Sequence, residues 1–394
     1  MRVGVFLGNY RPEDGGASSL LSTIRNEINA SDDMQNVEFV YLYSGGLKKS
    51  YKSFFDGNCY INYTKVGVLK RVLCKTLQKL FKFSYRDTRL NVIGKKENID
   101  LFWFPQPVKF DVKYPYIYTV WDLGHRRTPY FPEVSRSGWL WQDREDVYQT
   151  MLYRACYVIT GNEEGKKEIL ESYPIPASKI RISQFPVASF CRGEEKKPAF
   201  MKEKPYFFYP AQFWPHKNHI AILDALEILE EKYGSKPIVY LTGSDKGNRK
   251  YIEREIKYRG LENQVIFTGF VLDEELKFLY THAIGMIFAS LMGPNNMPPI
   301  EATYLHCPII ITDLDGHKEQ LGDTALYFNG YNPEELAENM NKLLVDSKLR
   351  ETIISKEAEL AKSFEKVNYF SEIKKIIKEF SLIRRTWGED FVHL

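Results

Sequence analysis

Two stretches carry residues whose types and spacing suit work on an anionic ligand. Lys217 lies in YPAQFWPHKNH, directly after an apolar strand pattern and at the start of a helical one. A lysine placed where helix N–H groups also point is suited to a phosphate or diphosphate. The second stretch runs from Phe288 to Glu319, FASLMGPNNMPPIEATYLHCPIIITDLDGHKE. An apolar strand is followed by a loop of Gly, Pro and Asn, and Pro298 and Pro299 suit the first turn of a new helix. Glu301 is expected in that first turn, where the helix dipole favours a carboxylate and free N–H groups remain for an anion. Open α/β sheets place ligand contacts at the carboxyl ends of such strands.

Glycines mark three further strand ends. Gly243 ends a strand in TGSD, and Thr268-Gly269-Phe270-Val271 ends another. Gly15 and Gly16 follow the first strand, Val3–Leu7, and precede a helix from Ser18 to Asn29 with Leu20, Leu21, Ile24 and Ile28 on one face. Glycine at such ends lets a ligand approach backbone, and equally serves a plain turn. The first loop is not G-x-G-x-x-G, so no dinucleotide fingerprint is present.

The elements that must position these residues alternate along the whole chain. Strand patterns at 37–43, 101–104, 116–120, 157–160 and 180–183 interleave with helical ones at 136–156 and 163–172. The pattern restarts with strands at 206–209, 238–242, 265–268, 284–289 and 308–312, and helices at 218–233, 249–259, 273–281 and 333–344. Strand–helix alternation predicts parallel sheets covered on both faces. The expected class is α/β, with two Rossmann-like doubly wound domains facing a central cleft. The domains are read as 1–190 and 205–363, joined by a charge-mixed linker, 191–204. A helix at 364–394 is expected to pack back on the first domain.

Composition narrows the class of function. At 394 residues, two domains are the prior, and 44% hydrophobic with 27% charged residues describes a globular chain. A net charge of +3 is too small to argue for nucleic acid. Five cysteines without paired or metal-like spacing fit reduced thiols, hence a cytoplasmic setting. No stretch approaches the length of a spanning helix. Between Asn58 and Arg86 there is no acidic residue, but seven basic ones, from Lys65 to Arg86, interleave with apolar residues at helical spacing. Such a helix lies on an anionic membrane surface or packs on the core with a solvated lysine face.

Taken together, the KN helix start, the TG after the second strand, VIFTGFV, and PPIEA…CPIIITDLDGHKEQLGDTALYF resemble the family 4 retaining (group 1) glycosyltransferases, which have the GT-B fold. The resemblance is strongest from Tyr209 to Leu344. It implies a nucleotide-sugar donor (UDP or GDP) bound mainly to the C-terminal domain, a glycan or lipid-linked oligosaccharide acceptor at the N-terminal domain, and no metal or other cofactor. Lys217 would neutralise the diphosphate and act in catalysis, and Glu301 would accept hydrogen bonds from the ribose hydroxyls. The backbone around Phe270 and Val271 would hold the base, with Gly15, Gly16 and Gly243 as further donor contacts.

Two departures from the family pattern stand out. A glutamate common in the family falls on Gly293, leaving Asn295 and Asn296, with Met297 beside them, either to hydrogen-bond the donor sugar or to serve as turn residues. An arginine falls on Gln212, for which His216 or Arg126 would compensate. Where the family has His-Asp after its fourth strand, this chain has Trp121-Asp122, with His125 beyond. Asp122 and His125 are thus the catalytic-cleft expectations, against a capping role for Asp122 and a structural one for His125. Asp313-x-Asp315 reads as a turn before Gly316 or as a metal motif of the other large glycosyltransferase fold. The implied activity is retaining hexosyl transfer in surface polysaccharide or lipopolysaccharide assembly. Its rivals are a phosphorylase or epimerase on the same fold and a non-catalytic nucleotide- or glycan-binding protein.

Overall fold

A computed structural model describes residues 1–8, 16–34, 36–44, 60–63, 88–366 and 369–388. Gly15 and the basic stretch from Lys65 to Arg86 lie outside the described residues.

Short apolar runs with β-branched and aromatic residues form the first sheet. Its strands are β1 (Arg2–Gly8), β2 (Glu38–Ser44), β3 (Tyr60–Tyr63), β4 (Leu101–Phe104), β5 (Tyr116–Thr119), β6 (Tyr157–Thr160) and β7 (Ile180–Ile182). The seven are parallel, in the order β3-β2-β1-β4-β5-β6-β7. Between them run α1 (Gly16–Asn29), α2 (Arg89–Lys96), the single turns α3 (Gly124–Arg127) and α4 (Pro132–Ser135), α5 (Trp141–Leu152) and α6 (Glu163–Ser172). A single helix over 136–156 is expected from the sequence. Instead the chain breaks between α4 and α5, where Gly138 takes φ +100°, which an L-residue rarely adopts.

The second sheet has β8 (Tyr206–Pro210), β9 (Ile238–Thr242), β10 (Val265–Gly269), β11 (Gly285–Phe288), β12 (Ile309–Thr312) and β13 (Ala325–Phe328). These six are also parallel, in the order β10-β9-β8-β11-β12-β13. Its helices are α7 (His219–Tyr233), α8 (Arg249–Tyr258), α9 (Asp273–Thr281), α10 (Met297–Tyr304), α11 (Asp315–Leu321), α12 (Pro333–Val345) and α13 (Ser347–Lys366). The order reverses direction beside β8 and beside β1. Those switch points are where loops on neighbouring strands diverge and leave a crevice.

The period-2 alternation of strand side chains divides the first core. Phe102, Phe104, Tyr116 and Tyr118 face α2, α5 and α6, whereas Leu101, Trp103, Ile117 and Ile159 face the opposite layer. That layer contains α1 and the last helix, α14 (Tyr369–Arg384). The C-terminal helix thus returns to the first sheet, as the fold class leads one to expect. Trp103 stacks on Phe370 with ring centroids 6.2 Å apart, Ser183 Oγ donates to the Tyr369 carbonyl at 2.9 Å, and Arg384 Nε meets Asp100 Oδ1 at 2.6 Å. Ile373, Ile376 and Ile377 are fully buried there. Each full burial of this kind contributes about 1.5–3 kcal/mol.

The last helix therefore acts as a strap holding the first sheet's open face. Ile376→Ala is expected to lower unfolding free energy by about 2–5 kcal/mol, the range for truncating a buried isoleucine in a core. Chemical denaturation followed by far-UV circular dichroism measures it, and a change under about 1 kcal/mol would show that the helix is not part of the core.

Candidate active site

At the carboxyl end of β8 the chain makes one tight turn, Pro215–Lys217, before α7 begins. Asn218 sits between them at φ 52°, and its side chain is anchored by donation to the Gly330 carbonyl at 2.8 Å. This left-handed step turns Lys217 back over the sheet. Its Nζ donates to Ser290 Oγ at 3.2 Å and lies 4.9 Å from the centre of the Phe288 ring. Among the described residues no carboxylate is within ion-pair distance of it. Desolvation draws its pKa down to about 8, against the pull of Asp122 and Glu133. A lysine held so is a cation awaiting an anionic partner.

Lys217 lines a cavity of about 480 Å³ between the two domains. The first domain contributes Trp121, Asp122, Glu133, Trp139 and Arg144, and the second Gln212, Trp214, His216, Gly293, Asn295, Asn296 and Met297. Asp122 Oδ1 accepts from the Gly124 amide at 2.9 Å and is 3.5 Å from Arg144 Nη1. It therefore both caps its loop and faces the cavity. Glu133 and His216 join the two walls: the His216 backbone amide donates to Glu133 Oε1 at 3.2 Å, and its Nδ1 bonds the same oxygen. Burial pulls His216 down to about 4. Burial works to raise Glu133, but bonds from His216 outweigh it and hold the carboxyl below its usual range. The pair is thus a carboxylate and a neutral imidazole donating from Nδ1.

The loop before α10 is gripped from both domains. A methyl group at Gly124 would stand 2.1 Å from Met292 Sδ, at Gly161 1.9 Å from Asn295 Nδ2, and at Gly316 2.0 Å from the Pro294 carbonyl oxygen. At Gly316, which meets backbone, only hydrogen admits the loop, while at Gly124 and Gly161 the Met292 and Asn295 side chains occupy the space a Cβ would take. Asn162 Nδ2 donates to the Pro294 carbonyl at 2.6 Å, and Glu319 caps the N-terminus of α6 across the cleft, accepting from the Glu163 and Glu164 amides at 2.7 and 2.8 Å. That carboxylate answers free N–H groups at a positive helix end.

The structure brings Asp122, Lys217, Gln212, Asn295, Asn296 and Met297 together around one cavity. It does not bring His125 there. His125 is fully buried behind the wall, stacked on Tyr148 at 5.5 Å and bonded to Glu145 Oε2 at 3.1 Å, so its part is structural. Nor does either expected substitute for the missing arginine serve. Arg126 is held by Glu145, and His216 is neutral. Among the described residues, Arg144 is the cation the first domain brings to the wall.

Glu301 is also displaced from expectation. The helix begins at Met297, so both prolines fall inside its first turn and Glu301 comes one turn later. It is 7% exposed, accepts from Tyr280 OH at 2.7 Å, and is raised to about 7 by desolvation. Gly243 is not on the cavity wall; its Cα–H packs against the Ala211 carbonyl, where a methyl would approach to 2.4 Å. Phe270 is 69% exposed at the rim of the second sheet, with Val271 buried behind it, and Gly16 is the first residue of α1. Asp315 opens α11 and Asp313 lies 4.0 Å from Lys318. Among the described residues no three His, Cys, Asp or Glu side chains gather as metal ligands. Sequence reading missed Glu133, Trp139, Arg144 and Trp214. Pro132 before Glu133 signals a helix start, but nothing in the sequence signals that this carboxylate crosses to His216.

Residues 192–359 match the family described as Glycosyl transferases group 1. An uncharacterised glycosyltransferase of Methanocaldococcus jannaschii is 22% identical over 57% of this chain and 60% of its own. The O-antigen chain mannosyltransferase RfbU of Salmonella typhimurium is 26% identical over 45% of this chain and 47% of its own. The chain thus spans roughly half the length of these curated relatives. Among solved structures, Anabaena Alr3699/HepE in complex with UDP and glucose superposes with TM-score 0.69 at 15% identity, over 96% of this chain and 99% of that one. WaaG, a glycosyltransferase involved in lipopolysaccharide biosynthesis, gives 0.68 at 13%, over 95% and 99%. With the two parallel sheets facing a cleft, these likenesses show the GT-B fold.

The raised Glu301 has a signature that needs no ligand. A carboxyl whose folded pKa exceeds its unfolded value adds stability in its protonated form, and loses it as pH rises towards and through about 7. Wild type minus Glu301→Gln, compared by denaturant unfolding from about pH 4.5 to about pH 8, is expected to decline across that window. A flat difference would mean that Glu301 ionises freely in the folded chain.

Proposed function

We propose that the chain is a retaining glycosyltransferase that moves a hexose from a nucleoside-diphosphate sugar to a glycan acceptor, without a metal ion. The observation that carries this reading is Lys217: a half-buried cation at a strand end, with no carboxylate at ion-pair distance among the described residues, in a cavity walled by both domains. Negative charge grows on the leaving diphosphate as the bond to the sugar's C1 breaks, and a pre-placed cation in a desolvated site stabilises it. In the reading favoured here the acceptor hydroxyl bonds C1 on the face the phosphate leaves. The hydroxyl proton passes to the departing phosphate oxygen, so no protein nucleophile is consumed. In the same reading Asp122 and the cavity tryptophans, on the first domain's wall and at Trp214, receive the acceptor. Hexoses are supported by the relatives, which include mannosyltransferases of O-antigen chains. Assembly of surface polysaccharide or lipopolysaccharide is the corresponding setting, inside the cell. Among the described residues no helix is long and apolar enough to cross a membrane.

The test is a thermal-shift panel of UDP, GDP and their hexose conjugates, with and without EDTA, on wild type and Lys217→Ala. A ligand bound only to the folded state at about 100 times its Kd adds about 2.7 kcal/mol. One nucleotide series is expected to stabilise the wild type irrespective of EDTA. Lys217→Ala should bind it roughly 10- to 150-fold more weakly, the factor for a hydrogen bond to a charged group. No shift with any nucleotide, or a shift that needs metal, would overturn the reading. Binding without transfer to any glycan or to water would favour the non-catalytic alternative.

The acidic-free run from Asn58 to Arg86 supports work at an anionic membrane surface. Flotation with phosphatidylglycerol vesicles should carry the protein at low salt, and a variant with Lys70, Arg71, Lys75 and Lys79 changed to Gln should stay behind. Equal flotation of both would remove the membrane role.

A further inference from the structure

A guanidinium carries five N–H donors in a rigid fork. Among the described residues, that of Arg144 on α5 makes one hydrogen bond: Nε donates to the Trp139 carbonyl at 2.8 Å. Asp122 Oδ1 stands 3.5 Å from Nη1, at ion-pair distance, and already accepts from the Gly124 amide. The remaining donors are not sealed inside protein. The side chain keeps 11% of its surface and lines the cavity, and neither Nη is a buried atom lacking a partner. Arg126 shows the contrast, since Glu145 takes both its Nε and its Nη2.

The orientation of Arg144 is set in advance. Its guanidinium carbon lies 4.8 Å from the centre of the Trp139 ring, and the Nε bond reaches the backbone of that same residue. A guanidinium stacked in this way loses little freedom when its outer edge meets a planar acid. Trp214 of the second domain closes the same end of the cavity, where a methyl at Gly138 would meet its ring at 3.8 Å. Flat apolar walls with a few fixed polar groups are how a small-molecule site holds and orients a ring.

We infer that the acceptor sugar is a uronic acid, its carboxylate received by Arg144 and a neighbouring hydroxyl by Asp122. This rests on the function proposed above and names the acceptor class. In a hexuronic acid the carboxylate on C5 and the hydroxyl on C4 sit on adjacent ring atoms. Arg144 and Asp122 offer the matching donor fork and acceptor oxygen 3.5 Å apart. An acid arriving beside Asp122 alone would be repelled, and the arginine removes that penalty. The neighbours that fix Arg144 belong to the first domain, whereas Lys217 is seated on Ser290 and Phe288 of the second. The two cations therefore serve different ligands, the lysine the diphosphate and the arginine the acceptor.

Ligand-observed NMR titration tests this with the 4-nitrophenyl β-glucuronide and β-galacturonide, each against its neutral glucoside or galactoside. Wild type, Arg144→Gln and Arg144→Lys are compared, in the presence of UDP or GDP, whichever binds. The wild type is expected to hold one uronide roughly 10- to 150-fold more tightly than its neutral partner, the factor for a hydrogen bond to a charged group. Arg144→Gln should bind the two alike, and Arg144→Lys, which keeps the charge without the fork, should fall between. Both variants should bind the nucleotide as the wild type does. If Arg144→Gln melts early, Arg144→Lys carries the comparison. A wild type that prefers neither uronide, or binds none, overturns the inference, as does a preference that survives in Arg144→Gln. Weaker nucleotide binding by Arg144→Gln would move the arginine to the donor diphosphate and overturn it too. Nucleotide binding without an acid preference sinks this inference alone; if the wild type binds no nucleotide, the glycosyltransferase reading fails first.

Discussion

Keeping the Lys217 ammonium inside the molecule without a carboxylate partner is the constraint to which much of this architecture answers. A desolvated, unpaired cation is costly, and among the described residues the chain meets the cost with weak partners: a serine hydroxyl and the face of Phe288. Asp122 and Glu133 act on it from a distance. Satisfying it with a direct ion pair would neutralise the charge that makes the cavity useful. The left-handed Asn218, the break between the short turn and α7, and the anchor to Gly330 all serve to hold the lysine there.

The second organising feature is the loop between β11 and α10. It is not held by its own hydrogen bonds alone, but by glycines on three sides that permit contact with backbone or side chain at distances no Cβ would allow. Two of those glycines belong to the first domain. The loop's shape therefore depends on the domains being together, as does the Glu133–His216 pair. Glu319 capping α6 adds a third link of the same kind. The cleft is a product of contacts between halves, with the returning helix α14 holding the first sheet's face behind it.

Several sequence expectations met a different outcome for one reason: neighbours in space decide the environment of a polar group. His125 reads as a cleft residue from its place after a strand, yet a tyrosine ring and Glu145 enclose it. Glu301 reads as a first-turn carboxylate because two prolines precede it, but helix-compatible backbone extends back to Met297. Glu133 shows the converse. Its segment, TPYFPEV, carries a helix-start signal and nothing more, and its importance comes from a histidine 83 residues away.

The layered fold is written in the linear chain, because strand and helix periodicities and the glycines and prolines that end them are local properties. The boundaries of β4, β6, β9, α6 and α9 match residue for residue. Lys217 and the Asn295–Met297 loop can be placed at strand ends in the same way, since a lysine or an open loop after a strand is legible without its neighbours. Folding in three dimensions was needed to settle which carboxylate approaches the lysine's turn, which histidine stays neutral, and which of two adjacent asparagines bonds the neighbouring helix. Those outcomes depend on burial and on partners from the opposite domain, and desolvation acts through the space around a group rather than through its place in the chain.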